Sequence, residues 1–361
     1  MRLVLLGDGD SPHLLKWARA LAPQVELWAA SSRGFAPGFD ALVPAQRRLA
    51  LDTRPNFAGG NAALLLQLPR LAHWLRGANA DWIHAHYLSS HGTLAWLATR
   101  WLRVPGRLVG SAWGSDILVA PQRSAAMRWL TRRVLRACLL ATSDSQTMTA
   151  RMRQLGAAEV MTFPFGLEAL PALPATGSKP AHAFYANRGL EPVYAPQRVL
   201  QVFAAIAAAW PDAELVMAND GSLLPLLQQQ VASAGLQGRV SLVGRLDADA
   251  QAAGYARARW YLSLPESDSV AVSVLEAMAQ GCIPILSDLP ANHELVRSGV
   301  NGLVLGAAAM PTTPQLDALL AQAETIAAAN HAWVAGQAMF GPAVSAFLAR
   351  LRALQGGAGR A

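Results

Sequence analysis

Three carboxylates and a helix start with phosphate-binding chemistry stand close together in one stretch, Leu264 to Leu305. A strand ends at Pro265, a short loop carries Glu266 and Asp268, and a helix is expected from about Ser269. The first N–H groups of a helix have no partner within it and carry the positive end of its dipole. The start at Ser269 and Val270 is therefore a seat for phosphate. Glu276 lies two turns further on, beside Val274, Leu275 and Met278, which read as core. A carboxylate among apolar neighbours is costly to bury without a partner, and the hydroxyls of a ribose would supply one. The plainer alternative is an exposed helical Glu, with the nearby acids stabilising the helix dipole.

Other segments carry chemistry more diffusely. Gly7-Asp8-Gly9-Asp10-Ser11-Pro12-His13 joins a strand to a helix, with Ser11 as N-cap and Pro12 in the first turn. Ser11 and His13 are candidate ligand contacts, although the loop lacks the dinucleotide-binding glycine pattern. His84, His86 and His91 cluster together. His84 and His86 alternate along a strand and are expected on opposite faces. With no acidic partner at ligand spacing, no zinc or other metal site is expected. His86, at the carboxyl end of its strand, is a candidate catalytic residue, and His91 is expected to help start the next helix. Asp116, in Ser111-Ala-Trp113-Gly114-Ser115-Asp116, could orient a hydroxyl, act as base or cap the following turn. Arg128, Arg132 and Arg136 are four apart and form one stripe on a helix shared with Trp129 and Leu130. That stripe suits an anionic membrane surface or a lipid-diphosphate acceptor; the alternative is an ordinary solvated basic face.

The elements that must position these residues alternate. Strands are expected at 2–6, 25–29, 81–86, 107–111, 139–143 and 160–163, with helices at 12–22 and 91–102 between them. Such alternation means a parallel sheet covered on both faces. Residues 164–182, with Pro164, Gly166, Pro171, Pro174, Gly177 and Pro180, read as a linker. The alternation then restarts: strands at 183–186, 214–218, 240–243, 260–264, 283–287 and 303–305, and helices at 196–209, 222–234, 270–280 and 290–298. The tail 333–356 is helical and apolar. The fold class is therefore α/β, with two doubly wound Rossmann-like domains facing each other across a cleft. The boundaries are 1–165 with the tail from about 336 to 361, a linker at 166–180, and 181–335. Ligands of such sheets bind outside the carboxyl ends of the strands.

Composition agrees with two well-filled cores. The 361 residues are 53% hydrophobic and 15% charged, which excludes wholesale disorder. Cys138 and Cys282 are too few for a disulfide framework or a Cys-based zinc site, consistent with a reducing compartment. Mean hydropathy is +0.23, yet no long apolar run resembles a membrane span, and the first residues are too short for a secretory signal. A cytoplasmic protein is expected, peripheral on the inner face of a membrane if the basic stripe binds lipid. Residues 1–165 carry a net +10 and the remainder −3, and eight of the eleven Trp lie in the first half. That asymmetry implies separate tasks for the two halves.

The motifs together resemble the nucleotide-sugar-dependent glycosyltransferases of family 4, of GT-B fold. The resemblance rests on Asp268, the run Glu276-Ala-Met-Ala-Gln-Gly-Cys-Ile-Pro284, Ser287, Glu294-Leu-Val and Gly299-Val-Asn-Gly302. It implies that Asp268 contacts the transferred sugar and that Glu276 binds the nucleotide ribose. Asp stands where the family usually has Glu, and Glu266 could share its role. It also implies that Arg188, in Asn187-Arg188-Gly189-Leu190, grips the diphosphate. A guanidinium there gives bidentate charge-assisted bonds. The Lys that usually follows is absent, which leaves Arg245 as a further candidate. Gly9, Ser11 and His13 match the family's first loop, which meets sugar and phosphate. Trp113 replaces its usual His beside the reacting sugar and cannot exchange a proton.

The resemblance further implies retention of anomeric configuration, no cofactor, no divalent metal, and a nucleoside-diphosphate sugar as co-substrate. The acceptor would be a glycan or a lipid-linked or other hydroxyl, in cell-surface polysaccharide or lipopolysaccharide synthesis. The residues alone leave other classes open. These are a nucleotide-binding relative without transfer, a GT-B sugar-nucleotide epimerase and, with no motif in support, a nucleic-acid binder.

Overall fold

The computed structural model describes residues 1–53, 62–175 and 177–357. The chain forms two compact units, one of residues 1–163 with 340–361 and the other of residues 164–339. The first holds strands β1 (Arg2–Gly7), β2 (Glu26–Ser31), β3 (Arg48–Ala50), β4 (Trp82–His86), β5 (Arg107–Ser111), β6 (Cys138–Ser143) and β7 (Val160–Thr162). Their order is β3-β2-β1-β4-β5-β6-β7 and every pairing is parallel. The second holds β8 (Ala183–Ala186), β9 (Glu214–Ala218), β10 (Val240–Gly244), β11 (Trp260–Ser263), β12 (Ile283–Ser287) and β13 (Leu303–Leu305). Their order is β10-β9-β8-β11-β12-β13, again all parallel.

Parallel strands with helices on both faces bury both their faces and read as unbroken apolar runs. Leu3 to Leu6 of β1 and Trp260 to Leu262 of β11 are fully buried in this way. Each sheet reverses its winding direction once: between β1 and β4 in the first unit, and between β8 and β11 in the second. These switch points open a crevice at the carboxyl ends of the strands. Gly9, on the loop after β1, and His86, the last residue of β4, stand at this end in one unit, and Arg188 and Asp268, on the loops after β8 and β11, in the other.

The final helix, Phe340–Gly357, belongs to the first unit. Phe340 and Phe347 pack edge-on against Trp17, with ring centroids 5.1 and 5.4 Å away. Arg350 forms a two-pronged ion pair with Glu159 at 2.5 and 2.7 Å. The expected helical tail 333–356 is two helices instead, the earlier being Ala323–Gln337. At the break, Ala338 O accepts the N–H of Leu167 at 2.8 Å.

Two further expectations need correction. The helix expected at 290–298 is a single turn, Asn292–Glu294. Asn292 Nδ2 donates to Ser287 O at 2.8 Å and Arg297 N–H donates to Asn301 Oδ1 at 2.8 Å, so side chains take the place of the helical ladder. The helix expected from Ser269 starts at Val272. Ala271 is still extended, and the N–H of Ser269 is taken by Asp268 Oδ1 at 2.9 Å. Helices at Leu68–Ala78, Gln146–Gln154 and Ala248–Arg257 are additional to those read from the sequence. No helix among the described residues is long and apolar enough to cross a membrane.

Candidate functional site

In the second unit, the loop after β8 and the helix Val272–Ala279 bring charged groups together at the switch point. Arg188 Nη2 is ion-paired with Asp268 Oδ2, and its Nη1 donates to Ser273 Oγ at 3.2 Å. The guanidinium lies 4.5 Å from the centre of the Tyr194 ring. Tyr194 thus occupies the segment in which the family usually has a Lys that this sequence lacks. Burial pushes the Asp268 carboxyl above its usual range, and the Arg188 charge opposes that shift. The N–H groups of Val272 and Ser273 lie outside the helical ladder, which begins with Val274 N–H to Ala271 O. The helix start to which the sequence reading assigned phosphate binding is therefore three residues later than expected. Ser269 and Val270 are buried in the loop that leads to it.

Glu276 sits one turn into that helix and does have a buried partner. Tyr255 O–H donates to Glu276 Oε2 at 2.8 Å. Asn187 Nδ2 donates to the same Tyr255 oxygen at 2.7 Å, and Tyr261 O–H donates to Asn187 Oδ1 at 2.7 Å. Burial holds both phenols well above their ordinary pKa, so they remain proton donors. The network fixes the Asn187-Arg188 turn and the Glu276 carboxylate relative to each other. Asn187, Tyr255, Tyr261, Tyr194 and Ser273 are site residues that the sequence motifs do not reveal. Glu266 is exposed and donates its backbone N–H to Val193 O at 3.0 Å. Arg245 is exposed beyond β10, the edge strand, two strands away from β8.

In the first unit, His84 and His86 lie on the same face of β4, with ring centroids 4.4 Å apart. The expectation of opposite faces is wrong, because residues two apart on a strand share a face. Burial lowers both imidazoles, His84 to about 3 and His86 well below its ordinary value, and lowers His91 to about 4. All three are neutral near pH 7. Among the described residues no three His, Cys, Asp or Glu side chains form a metal-binding group.

Trp113 Nε1–H donates to His86 Nδ1 at 3.1 Å, so His86 holds the indole rather than offering that nitrogen to a substrate. The rings of His13 and Tyr87 lie 4.6 and 5.9 Å from that of Trp113. Tyr87 has a left-handed backbone, φ 61°, at the start of a π-helical turn, Tyr87–Gly92, which includes His91. Asp116 is 1% exposed, and its two oxygens accept the N–H groups of Leu88 and Trp113 at 2.8 and 2.9 Å. With both oxygens occupied in this way, Asp116 clamps the Leu88 and Trp113 segments together, a role outside the three considered for it.

Ser11 caps the first helix, accepting the His13 N–H at 3.3 Å. A Cβ on Gly9 would come within 2.4 Å of Gly34 O, so this glycine serves close loop packing. Arg128, Arg132 and Arg136 are all exposed on the helix Ala125–Ala137. Arg133 lies 5.3 Å from the centre of the half-exposed Trp129 ring.

Two family descriptions match the chain: Glycosyl transferase 4-like over residues 2–145 and Glycosyl transferases group 1 over residues 175–323. No curated protein matches it by sequence. Solved structures similar to it include Anabaena Alr3699/HepE in complex with UDP-glucose, at 18% identity and TM-score 0.75, covering 98% of this chain and 100% of that one. A sucrose-phosphate synthase from Thermosynechococcus elongatus superposes with TM-score 0.78 at 14% identity, covering 99% and 100%. The lipopolysaccharide outer core galactosyltransferase WaaB follows at 13% identity and TM-score 0.62, covering 93% and 94%.

Proposed function

Since the chain belongs to the group 1, 4-like glycosyltransferases of GT-B fold, we propose that its donor is a sugar carried on uridine diphosphate and that Arg188 is the main grip on the diphosphate. The observation that carries this reading is the convergence of Arg188, Asp268 and Ser273 at the switch point of the second sheet. HepE is a relative in fold that was solved with UDP-glucose bound.

An arriving diphosphate competes with Asp268 for the Arg188 fork and also meets the N–H groups of Val272 and Ser273. Asp268 is then released to accept a hydroxyl of the donor sugar, and Glu276, held by Tyr255, accepts from the ribose. The bond from C1 to the phosphate oxygen breaks, a bond from the acceptor oxygen to C1 forms, and UDP and a proton leave. The guanidinium and the helix start stabilise the charge developing on the diphosphate, the task that a divalent cation performs in other transferases. Retention at C1 belongs to this reading by family resemblance. The acceptor is a glycan or lipid-linked hydroxyl of a cell-surface polysaccharide or lipopolysaccharide.

Titrating UDP, GDP, ADP, CMP and dTDP in the presence of a chelator tests the donor site. Saturable binding of UDP, reduced about tenfold or more by Arg188→Ala and by Glu276→Ala, is expected from the loss of charged hydrogen bonds. A folded protein that binds none of the five would refute it. The stripe Arg128, Arg132 and Arg136, with Trp129 beside it, fits the anionic inner face of a cytoplasmic membrane. Sedimentation with phosphatidylglycerol vesicles should carry the protein down. Replacing the three arginines by Ser should leave it in the supernatant, with its unfolding temperature unchanged.

A further inference from the structure

Lys179 lies outside the motifs of the donor site, in the segment that leads into β8, and it is buried. Its Nζ donates to Tyr255 O and to Ala258 O, at 2.8 Å each. Both carbonyls stand at the carboxyl end of the helix Ala248–Arg257. Sheet pairing takes one donor away from that end. Arg259 N–H, which would continue the helix to Tyr255 O, pairs with Ala183 O at 2.9 Å instead. The negative end of the helix dipole favours a cation here. It offsets burial, which lowers the pKa of the ammonium. Cys282 Sγ approaches the same two oxygens at 3.3 Å. A thiol is a weak donor with one proton, so it serves one carbonyl at most. The ammonium can hold both.

The residue that Lys179 holds by its carbonyl holds Glu276 by its hydroxyl. Tyr255 O–H donates to Glu276 Oε2 at 2.8 Å and accepts from Asn187 Nδ2 at 2.7 Å. The Tyr255 ring packs edge-on against Tyr185, with centroids 5.1 Å apart, which fixes its tilt. The reach of the hydroxyl is set by where the helix end stands, and a hydrogen bond weakens once stretched beyond roughly 3.2 Å. The Lys179 backbone is held separately. Arg259 Nη2 donates to Lys179 O at 3.1 Å, and Arg259 Nη1 and Gly177 N–H donate to Glu324 Oε1 at 3.0 and 3.2 Å. These bonds keep the segment in place without the ammonium. We propose that Lys179 is a positioning residue of the donor site, fixing the end of the helix Ala248–Arg257 so that Tyr255 holds Glu276 ready for the ribose. The proposal rests on the reading of Glu276 as the acceptor of the ribose hydroxyls.

Calorimetric titration of the full-length protein with UDP and with dideoxy-UDP, which lacks both ribose hydroxyls, tests it. The dideoxy compound makes no bond to Glu276 and so reports on the rest of the site. The parent should bind UDP the more tightly of the two. Lys179→Met should weaken UDP about three- to tenfold, the effect of one displaced hydrogen bond, and leave the dideoxy compound unchanged. Added to Tyr255→Phe, it should weaken UDP no further. Lys179→Gln, a neutral donor of shorter reach, should show the same selective loss and serves if the Met chain does not fold. UDP binding like the parent's in Lys179→Met, equal losses for both ligands, a loss that adds to that of Tyr255→Phe, or failure of both variants to fold would overturn the proposal and leave the Arg188 grip standing. A parent that binds both ligands alike would free Glu276 from the ribose and overturn it too. A folded parent that binds no UDP would remove the donor reading itself, and the proposal with it.

Discussion

Asp268 and Arg188 each restrict the other. The carboxylate is only 20% exposed and the guanidinium 18%, so neither is left to water when its partner goes. Replacing Arg188 by Ala strands a partly buried carboxylate and removes the phosphate grip, so both stability and UDP affinity should fall. Asp268→Asn separates the two roles. The amide no longer competes for the guanidinium, so calorimetry should show UDP bound as tightly as before or more tightly, while turnover drops because the sugar hydroxyl has lost its charged acceptor. Loss of UDP affinity in Asp268→Asn would mean that the pair itself builds the site.

Tyr255→Phe keeps the ring but removes the hydroxyl that Glu276 and Asn187 share. The KM for donor should rise by about three- to tenfold, as the loosened Glu276 carboxylate gives up roughly 1 kcal/mol of its hold on the ribose. Asp268 and Glu276 stood out as candidates by their spacing around a strand end and a helix start, and Arg188 only through the family resemblance. Tyr255 and Tyr261 did not, because only the fold brings positions 255 and 261 onto Asn187.

At the level of elements, close approaches of backbone to backbone decide several junctions. A Cβ on Gly166 would stand 1.7 Å from Ala338 O, where the segment entering the second unit pairs with the one leaving it. Gly166→Ala must push these strands apart, and overpacking of this kind costs about 1–3 kcal/mol. Gly336, within the helix Ala323–Gln337, has nothing within 4 Å of such a Cβ. Gly336→Ala should therefore stabilise, by about 0.5–1 kcal/mol. Opposite shifts in the denaturant midpoint at unchanged m-value would confirm both. A midpoint unmoved in Gly166→Ala would show that the junction yields freely.

Element type was largely readable, since Leu3 to Leu6 and Trp260 to Leu262 are apolar runs that only a buried strand accommodates. Element ends were less so. The helix start moved from Ser269 to Val272 because the Asp268 side chain takes the Ser269 N–H, and the segment after Pro290 failed to become a helix because Asn292 bonds back to Ser287. Both are choices between side-chain and backbone partners, which periodicity does not record.

Across the whole molecule, protonation sets the two units against each other. His84, His86 and His91 are buried in the first unit and neutral, with folded pKa values well under the ordinary 6.5. Between the folded and unfolded values the unfolded chain binds more protons. The stability these imidazoles contribute is therefore full above about pH 6.5 and is lost as the pH falls towards 4 and 3. Each should cost about 1 kcal/mol over the first unit of acidification below 6.5. Asp8 and Asp116, in the same unit, are raised by burial and work in the opposite direction. They take up a proton more readily when folded, which offsets part of the loss on approach to 3.8. In the second unit Asp268 is raised too, so acid does not weaken that unit through it.

If Arg188, Asp268 and Glu276 hold UDP as proposed, the ligand should raise the transition of the second unit, by an amount that grows with the logarithm of its concentration over Kd. Scanning calorimetry at pH 7.5 and 5.5, with and without UDP, should show acid lowering one transition and UDP raising the other. His91→Asn keeps a donor for the His86 carbonyl but takes up no proton, so it should flatten the acid limb by about a third. A transition that responds to both acid and ligand would mean that the two units unfold as one.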